Sequence, residues 1–326
     1  MRVLVTGASG FLGSHIAEQL SQAGHTVRAL VRRTSNRKFL DTLPRVELAT
    51  GSVEEPGPVE EAVKGVDAIV HSAGLVKAKS EADFVATNVD GTRNLANAAR
   101  KHAPGLRRFV QISSLEAAGP SKDGAGVRID QDAPVTRYGN SKLAADRLLA
   151  EMKGALPITI LRPGGIYGPR DQEILEAFKS VSRGVLPITG DGKTRYSLVY
   201  GPDCAALVVK ALEAEVPSGS AYFVSDGEIY TQRQMMESIE RALQKRARVR
   251  FGLPLGVVQA VSVGVEAYGR ARDRAVMLTR EKAASLGHHW VCDGEDARAT
   301  FGWSPSVKFD EGSRLTATWY RDNRWI

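Results

Sequence analysis

Residues 1–13 read MRVLVTGASGFLG, and this stretch decides the fold. Residues 2–6 form a short, nearly continuous apolar strand pattern. Three glycines follow, Gly7, Gly10 and Gly13, and an apolar-periodic helix starts near Phe11 with Ile16, Ala17 and Leu20 on one face. Strand, glycine turn and helix in this order give a glycine motif its meaning. Gly7 suits the tight turn. Gly10 removes a side chain where backbone must approach a pyrophosphate, and Gly13 lets the helix pack closely on the strand. The spacing is G-x-x-G-x-x-G rather than the G-x-G-x-x-G of most dinucleotide folds, so a turn that merely packs tightly is the plain alternative.

Working outward, strands are expected at 26–31, 46–49, 68–71, 109–113 and 158–161, with helices between them, the clearest at 83–101 and 138–152. Such alternation implies an α/β, Rossmann-type doubly wound parallel sheet with helices on both faces. Pro163, Gly164, Gly165, Gly168 and Pro169 make a turn-rich junction. Shorter elements follow: helices at 174–183, 202–214, 232–244 and 255–272, and strands at 197–200 and 222–224. The expected division is a dinucleotide-binding domain over 1–165 and a smaller C-terminal substrate-binding α/β region over 166–326, with some crossing of the chain between them. Ligands of such sheets bind outside the carboxyl ends of the strands.

With 326 residues, 43% hydrophobic and 25% charged, the chain has the composition of a soluble globular protein. The net charge is +7, but the basic residues are scattered and no nucleic-acid-binding motif is present, so a nucleic-acid partner is not expected. A cofactor rich in phosphate accounts for part of the excess. Cys204 and Cys292 make no disulfide framework, which points to a reducing cytoplasm. The first residues run straight into a core strand, so no signal peptide is expected. The apolar run at 253–268 is broken by Gln259 and Glu266 and is too short and polar to read as a membrane span.

Tyr138-Gly-Asn-Ser-Lys142 opens the helix at 138–152, and residues four apart share a helical face. Tyrosine, with an ordinary pKa of about 10, is a poor base near neutrality, and a neighbouring ammonium favours its phenolate. Tyr138 is thereby suited to give a proton to a developing alkoxide or take one from an alcohol. Ser113 and Ser114 end the strand at 109–113, where a hydroxyl can hydrogen-bond the substrate oxygen. Serines there also serve simply as turn formers.

Together these pieces resemble the extended short-chain dehydrogenase/reductases of the NAD-dependent epimerase/dehydratase superfamily. The resemblance spans nearly the whole length and rests on TGASGFLG, HSAG at 71–74, NVDGTRNL at 88–95, QISSLEAAGP at 111–120, YGNSK and LRPGGIYGPR at 161–170. SSLEAAGP and the C-terminal run are similar to 3-beta-hydroxysteroid dehydrogenases, and VRALVRRTSN is similar to dihydroflavonol reductases. The resemblance implies that Ser114 is the catalytic serine, Tyr138 the acid/base, and Lys142 the residue that binds ribose and lowers the tyrosine pKa. It places cofactor contacts at Gly7, Ser9, Gly10, Phe11, Leu12, Gly13, Ser52, Val53, Ser72, Ala73, Gly74, Asn88, Ser113, Tyr138, Lys142, Pro163 and Ile166. Asn88 matches a structurally important asparagine, with a local backbone hydrogen bond as the alternative. Relatives usually carry aspartate at Ser52, so the adenine contact there is weakened. Pairing through the helices at 83–101 and 138–152 would give a homodimer, with apolar residues such as Leu95 and Leu148 on the exposed faces unless the core claims them.

At the end of the second strand, a carboxylate would bind the ribose hydroxyls of NAD. Arg32 and Arg33 stand there instead, and a guanidinium suits the 2′-phosphate of NADP. NADP(H) is therefore the preferred cofactor and NAD(H) the alternative; two solvent-facing arginines are the plain reading. For the substrate, Gly165 stands where sugar-nucleotide enzymes carry a diphosphate-binding asparagine, while Arg195 matches their phosphate-binding arginine. Segment 252–274 reads as a lid over an apolar pocket, a contact with a membrane surface, or a core helix with a basic tail. His288, His289 and Cys292 lack further ligands at useful spacing, and no metal is expected. The function expected is reversible hydride transfer between NADP(H) and a carbonyl or alcohol on an apolar substrate. The rivals are a nucleotide-sugar epimerase or dehydratase and a non-catalytic dinucleotide sensor.

Overall fold

The computed structural model describes residues 1–272, 276 and 278–326. The apolar run Arg2–Thr6 is strand β1, buried from Val3 onward at the middle of the main sheet. Gly7 turns the chain with φ +71°, in the left-handed region that favours glycine. Helix α1 (Phe11–Gln22) then starts so close to that turn that a Cβ on Gly13 would lie 2.1 Å from the Gly7 carbonyl oxygen. There follow β2 (Thr26–Val31), β3 (Val46–Thr50), α2 (Pro56–Val63) and β4 (Ala68–His71).

The single helix expected at 83–101 is three pieces. A turn of helix, α3 (Glu81–Phe84), runs through a wide π-type segment, Val85–Asp90, into α4 (Gly91–His102). Strand β5 (Arg108–Ile112), helix α5 (Arg137–Glu151) and strand β6 (Ile158–Pro163) complete the expected alternation. β5 stops at Ile112, so Ser113 and Ser114 lie just past its carboxyl end, where the chain leaves the sheet.

Past residue 163 the chain forms β7 (Gly165–Tyr167), α6 (Leu175–Ser182), β8 (Val185–Thr189), β9 (Arg195–Tyr200) and α7 (Gly201–Glu213). It continues through β10 (Ser220–Val224), β11 (Ile229–Thr231), α8 (Gln232–Leu243), β12 (Val249–Leu253), α9 (Leu255–Ala271), α10 (Arg280–Ser285), α11 (Glu295–Phe301) and α12 (Phe309–Asp322). β10 returns to the main sheet, whose seven parallel strands run in the order β10-β6-β5-β4-β1-β2-β3. α1 and α7 pack over one face, α2, α4 and α5 over the other, and each face buries its own apolar cluster.

The remaining strands make a three-stranded sheet, β11-β9-β7, and a parallel pair, β12-β8. Over them packs an aromatic core in which the Tyr167 and Phe309 rings meet edge to face at 4.7 Å. Of the two expectations for Leu95 and Leu148, the core claims both: they are buried between α4, α5 and the sheet. The outward residues of these helices are Arg93, Asn97, Arg100, Lys101, Asn140, Ala144, Arg147 and Glu151. An apolar stripe on a helix reads the same whether it faces a core or a second chain, and here the core takes it.

Candidate active site

The carboxyl ends of β1, β2, β3 and β4 open onto a groove lined by Gly7, Ser9, Gly10, Arg32, Ser52, Val53, Ser72, Ala73 and Gly74. Gly7, Gly10, Ser72 and Gly74 also border a second, larger cavity of about 720 Å³, so the two form one trough along the sheet edge. The larger part holds Phe11, Leu12, Gly13, Ser113, Ser114, Tyr138, Lys142, Pro163 and Ile166.

The fit to a dinucleotide rests on the backbone. α1 begins at Gly10 with no side-chain cap and no acidic residue in its first turn, leaving its N–H groups open to a pyrophosphate. A Cβ at Gly7 would come within 2.7 Å of the Ala73 nitrogen, so the turn closes tightly against the end of β4.

Two expected residues do not border the trough. Arg33 is exposed beside it, whereas the exposed Arg32 lines the groove. Asn88 is buried and acts as a brace. Its Oδ1 accepts from the Leu75 backbone N–H at 2.8 Å, and its Nδ2 donates to Ser141 Oγ at 2.8 Å, tying the loop after β4 to α5. At Ser52 the hydroxyl accepts from the Glu54 N–H at 3.3 Å, a contact within its own loop.

Helix α5 is positioned by its first turn. Thr136 accepts from the Gly139 N–H at 2.9 Å and donates its own hydroxyl to Glu116 at 2.5 Å, clamping the helix start to the turn after β5. Tyr138, Lys142 and Asp146 follow at four-residue spacing on one face. Ser114 and Tyr138 share a hydrogen bond, and Phe84 packs its ring against Tyr138 at 6.3 Å. Beneath them Ser113 donates to Asp146 at 2.8 Å, and Asp146 pairs with Arg162 at 2.9 Å, both side chains almost fully buried.

The Tyr138 phenol is raised overall rather than lowered. Burial raises the Tyr138 phenol above its ordinary value, the Glu116 carboxyl adds to this, and the Ser114 hydrogen bond opposes it. The Lys142 ammonium donates to the Ile112 carbonyl at 2.6 Å, and burial pushes it down to about 8, with Asp146 resisting.

Glu116 is the residue the sequence reading missed. The residue is half-buried, and burial of its carboxyl raises it above the usual range while its charge acts on the phenol of Tyr138. Its signal was faint, a lone acid two residues after Ser114.

Farther out, the cavity wall is formed by Val76, Phe84, Leu115, Tyr196, Leu278, Leu286 and Trp290, together with the Arg137–Glu281 ion pair at 2.7 Å. Residues 252–269, 271 and 272 lie outside the cavity lining; the side chain of Arg270 and residues 273 and 274 fall outside the described part. Arg195 also lies outside the lining and reaches the Gly124 carbonyl at 3.5 Å, while a Cβ on Gly165 would meet the Leu198 side chain at 2.7 Å. His289 Nδ1 accepts from the Arg195 N–H, and Cys292 is buried with its backbone bonded to Ser197 Oγ.

The family model for the NAD dependent epimerase/dehydratase family matches residues 3–225. Among curated proteins, "Ceramide reductase" of Caulobacter vibrioides is 31% identical, covering 99% of this chain and 96% of that protein. "2-alkyl-3-oxoalkanoate reductase" of Stenotrophomonas maltophilia is 30% identical, covering 96% and 98%. Among solved structures, the dTDP-glucose 4,6-dehydratase DesIV of Streptomyces venezuelae, with NAD bound, superposes with a TM-score of 0.81 at 26% identity, covering 100% of this chain and 98% of that one.

Proposed function

The chain belongs to the NAD dependent epimerase/dehydratase family of extended short-chain dehydrogenase/reductases and is an enzyme; from that premise we propose that it interconverts a carbonyl and an alcohol on an apolar substrate with NADP(H). The nicotinamide, when bound, supplies or accepts the hydride. This chain's own residues handle the proton and the charge. Tyr138 gives a proton to the substrate oxygen, Ser114 donates a hydrogen bond to the same oxygen, and the Lys142 ammonium favours negative charge on the phenol side. Burial keeps Tyr138 protonated until the oxygen it serves becomes basic, which suits the reducing direction.

The observation that carries the substrate class is the position of Arg195 and Gly165. Arg195 is spent on Gly124 outside the cavity, and Gly165 offers no side chain for a diphosphate. The names of the two curated relatives, for ceramide and for 2-alkyl-3-oxoalkanoates, support an apolar carbonyl compound. The sugar-nucleotide reading is favoured by the likeness to DesIV and to a 28% identical dTDP-glucose 4,6-dehydratase of Streptomyces niveus. The test offers the purified protein NADPH with aliphatic, aromatic and steroid ketones, and separately NAD with UDP-glucose and UDP-N-acetylglucosamine. Turnover is expected on the ketones and should improve with chain length or ring count, at roughly 25 cal/mol per Å² of ligand surface buried. Epimer formation without net cofactor consumption, with silence on every ketone, would replace this reading with the rival.

Cofactor choice follows from Arg32, exposed on the groove wall at the end of β2. NADPH is expected to bind more tightly than NADH by about 1–3 kcal/mol, the scale of charge-assisted hydrogen bonds to a phosphate. Arg32→Asp should reverse the order in a fluorescence titration. Equal affinities in the unaltered protein would remove the claim.

A further inference from the structure

Helix α9 is built inside out. Val258, Ser262 and Gly269 form its buried stripe, with Val265 and Glu266 partly buried beside them. Val257, Val261, Val263 and Tyr268 stand outward, 46%, 54%, 50% and 61% exposed. A surface helix of a globular protein shows the opposite arrangement. Val249 and Phe251, on the strand that runs into α9, are 52% and 40% exposed. Scattered exposed apolar residues are ordinary, whereas a run of them on one element marks a surface that meets something else.

The charge around this element selects the partner. Residues 245–282 carry nine Lys or Arg and three Asp or Glu, which is six of the chain's net +7. Part of this charge is paired within the fold: Arg280 with Glu266 at 3.1 Å, Arg250 with Glu240 at 2.5 Å, Lys282 with Glu173 at 3.9 Å, and Glu281 with Arg137 at 2.7 Å. Arg246, Arg248 and Arg272 are exposed. A symmetric contact with a second copy would set this cationic face against itself. An anionic bilayer answers both features, with the valines entering the acyl boundary and the arginines meeting headgroups. No helix among the described residues is long and apolar enough to cross a membrane, so α9 would lie along the surface.

We propose that α9 and the end of β12 dock the protein on an anionic membrane surface. Val276, Leu278 and Leu286, which follow α9 in the chain, line the active-site cavity. Docking brings that wall to the bilayer, where an apolar substrate is concentrated. This last consequence rests on the substrate reading above; the docking itself does not.

The test is co-sedimentation of the full chain with phosphatidylcholine vesicles, with and without phosphatidylglycerol. Binding is expected only to the anionic vesicles and should weaken as salt is raised. Val257→Glu with Val261→Glu, and separately Arg248→Glu with Arg272→Glu, should each lower partitioning by about tenfold or more. Both variants should keep the unaltered protein's melting temperature and its turnover of a water-soluble ketone. Failure to bind anionic vesicles overturns the proposal. So does binding that ignores lipid charge, or binding untouched by the valine substitutions. A dimer in light scattering that the valine substitutions dissociate would assign the face to self-association and overturn it as well. Vesicle binding by a protein that reduces no ketone upholds docking and removes only the substrate reading.

Discussion

Tyr138→Phe is expected to lower turnover by about 10² or more while leaving NADPH affinity nearly unchanged, the scale of a lost general acid. The substitution removes one oxygen. The ring keeps its packing against Phe84, and the clamp from Thr136 to Glu116 and Gly139 does not involve the phenol. The loss should therefore appear in kcat rather than in stability. Lys142→Ala differs, because Lys142 is assigned to the cofactor ribose as well as to the charge near Tyr138. It should raise the Kd for NADPH and lower kcat together. Steady-state kinetics with a ketone substrate, alongside a cofactor titration of each variant, separates the two. Turnover in Tyr138→Phe equal to that of the unaltered protein would show that another group moves the proton, and the half-buried Glu116, whose charge acts on the phenol, would be the first to examine.

Asp146→Ala is expected to destabilise the fold by about 3–5 kcal/mol, the usual result of removing one partner from a buried ion pair. The side chains of Asp146 and Arg162 are 3% and 6% exposed, and the remaining carboxylate near Arg162 is Asp132, at 3.7 Å. Without Asp146, the Arg162 Nε–H and the Ser113 hydroxyl lose their acceptor below the active site. The midpoint of urea unfolding should fall with little change in slope. Asp146→Asn should cost less, since an amide oxygen still accepts. An unfolding midpoint unmoved by Asp146→Ala would mean that solvent reaches Arg162.

The main sheet was legible because β1 through β6 are apolar runs bounded by glycines and helix starts, a pattern set by local chemistry. The Tyr138 and Lys142 pair was legible for the same reason, since helical spacing alone puts them on one face. The contribution of Asp146, four residues farther along that face, depends on Arg162 arriving from β6. Glu116 becomes part of the site only when α5 closes on the turn after β5. β7, β8, β11 and β12 are three to five residues long and take their strand form from partners distant in sequence, as Val249 does opposite Val185. The break at Val85–Asp90 was hidden because periodicity reports which residues are apolar, not where a helical turn widens. Segment 252–274 reads as lid, membrane contact or core helix, because an apolar segment does not declare what it will cover; Val276, Leu278 and Leu286 beyond it line the cavity.

β10 pairs in parallel with β6 along Ser220–Val224, and α7, which precedes it, packs on α1. A fragment ending at residue 165 would leave β6 with a bare row of backbone donors and acceptors, and would uncover the apolar flank of α1. The nucleotide-holding part is thus discontinuous: its outer margin is contributed by chain synthesised after the first elements of the other part. Grafting a different specificity region onto this scaffold would require two splice points, one on either side of Gly201–Val224, so that the borrowed segments enter as insertions rather than as a tail.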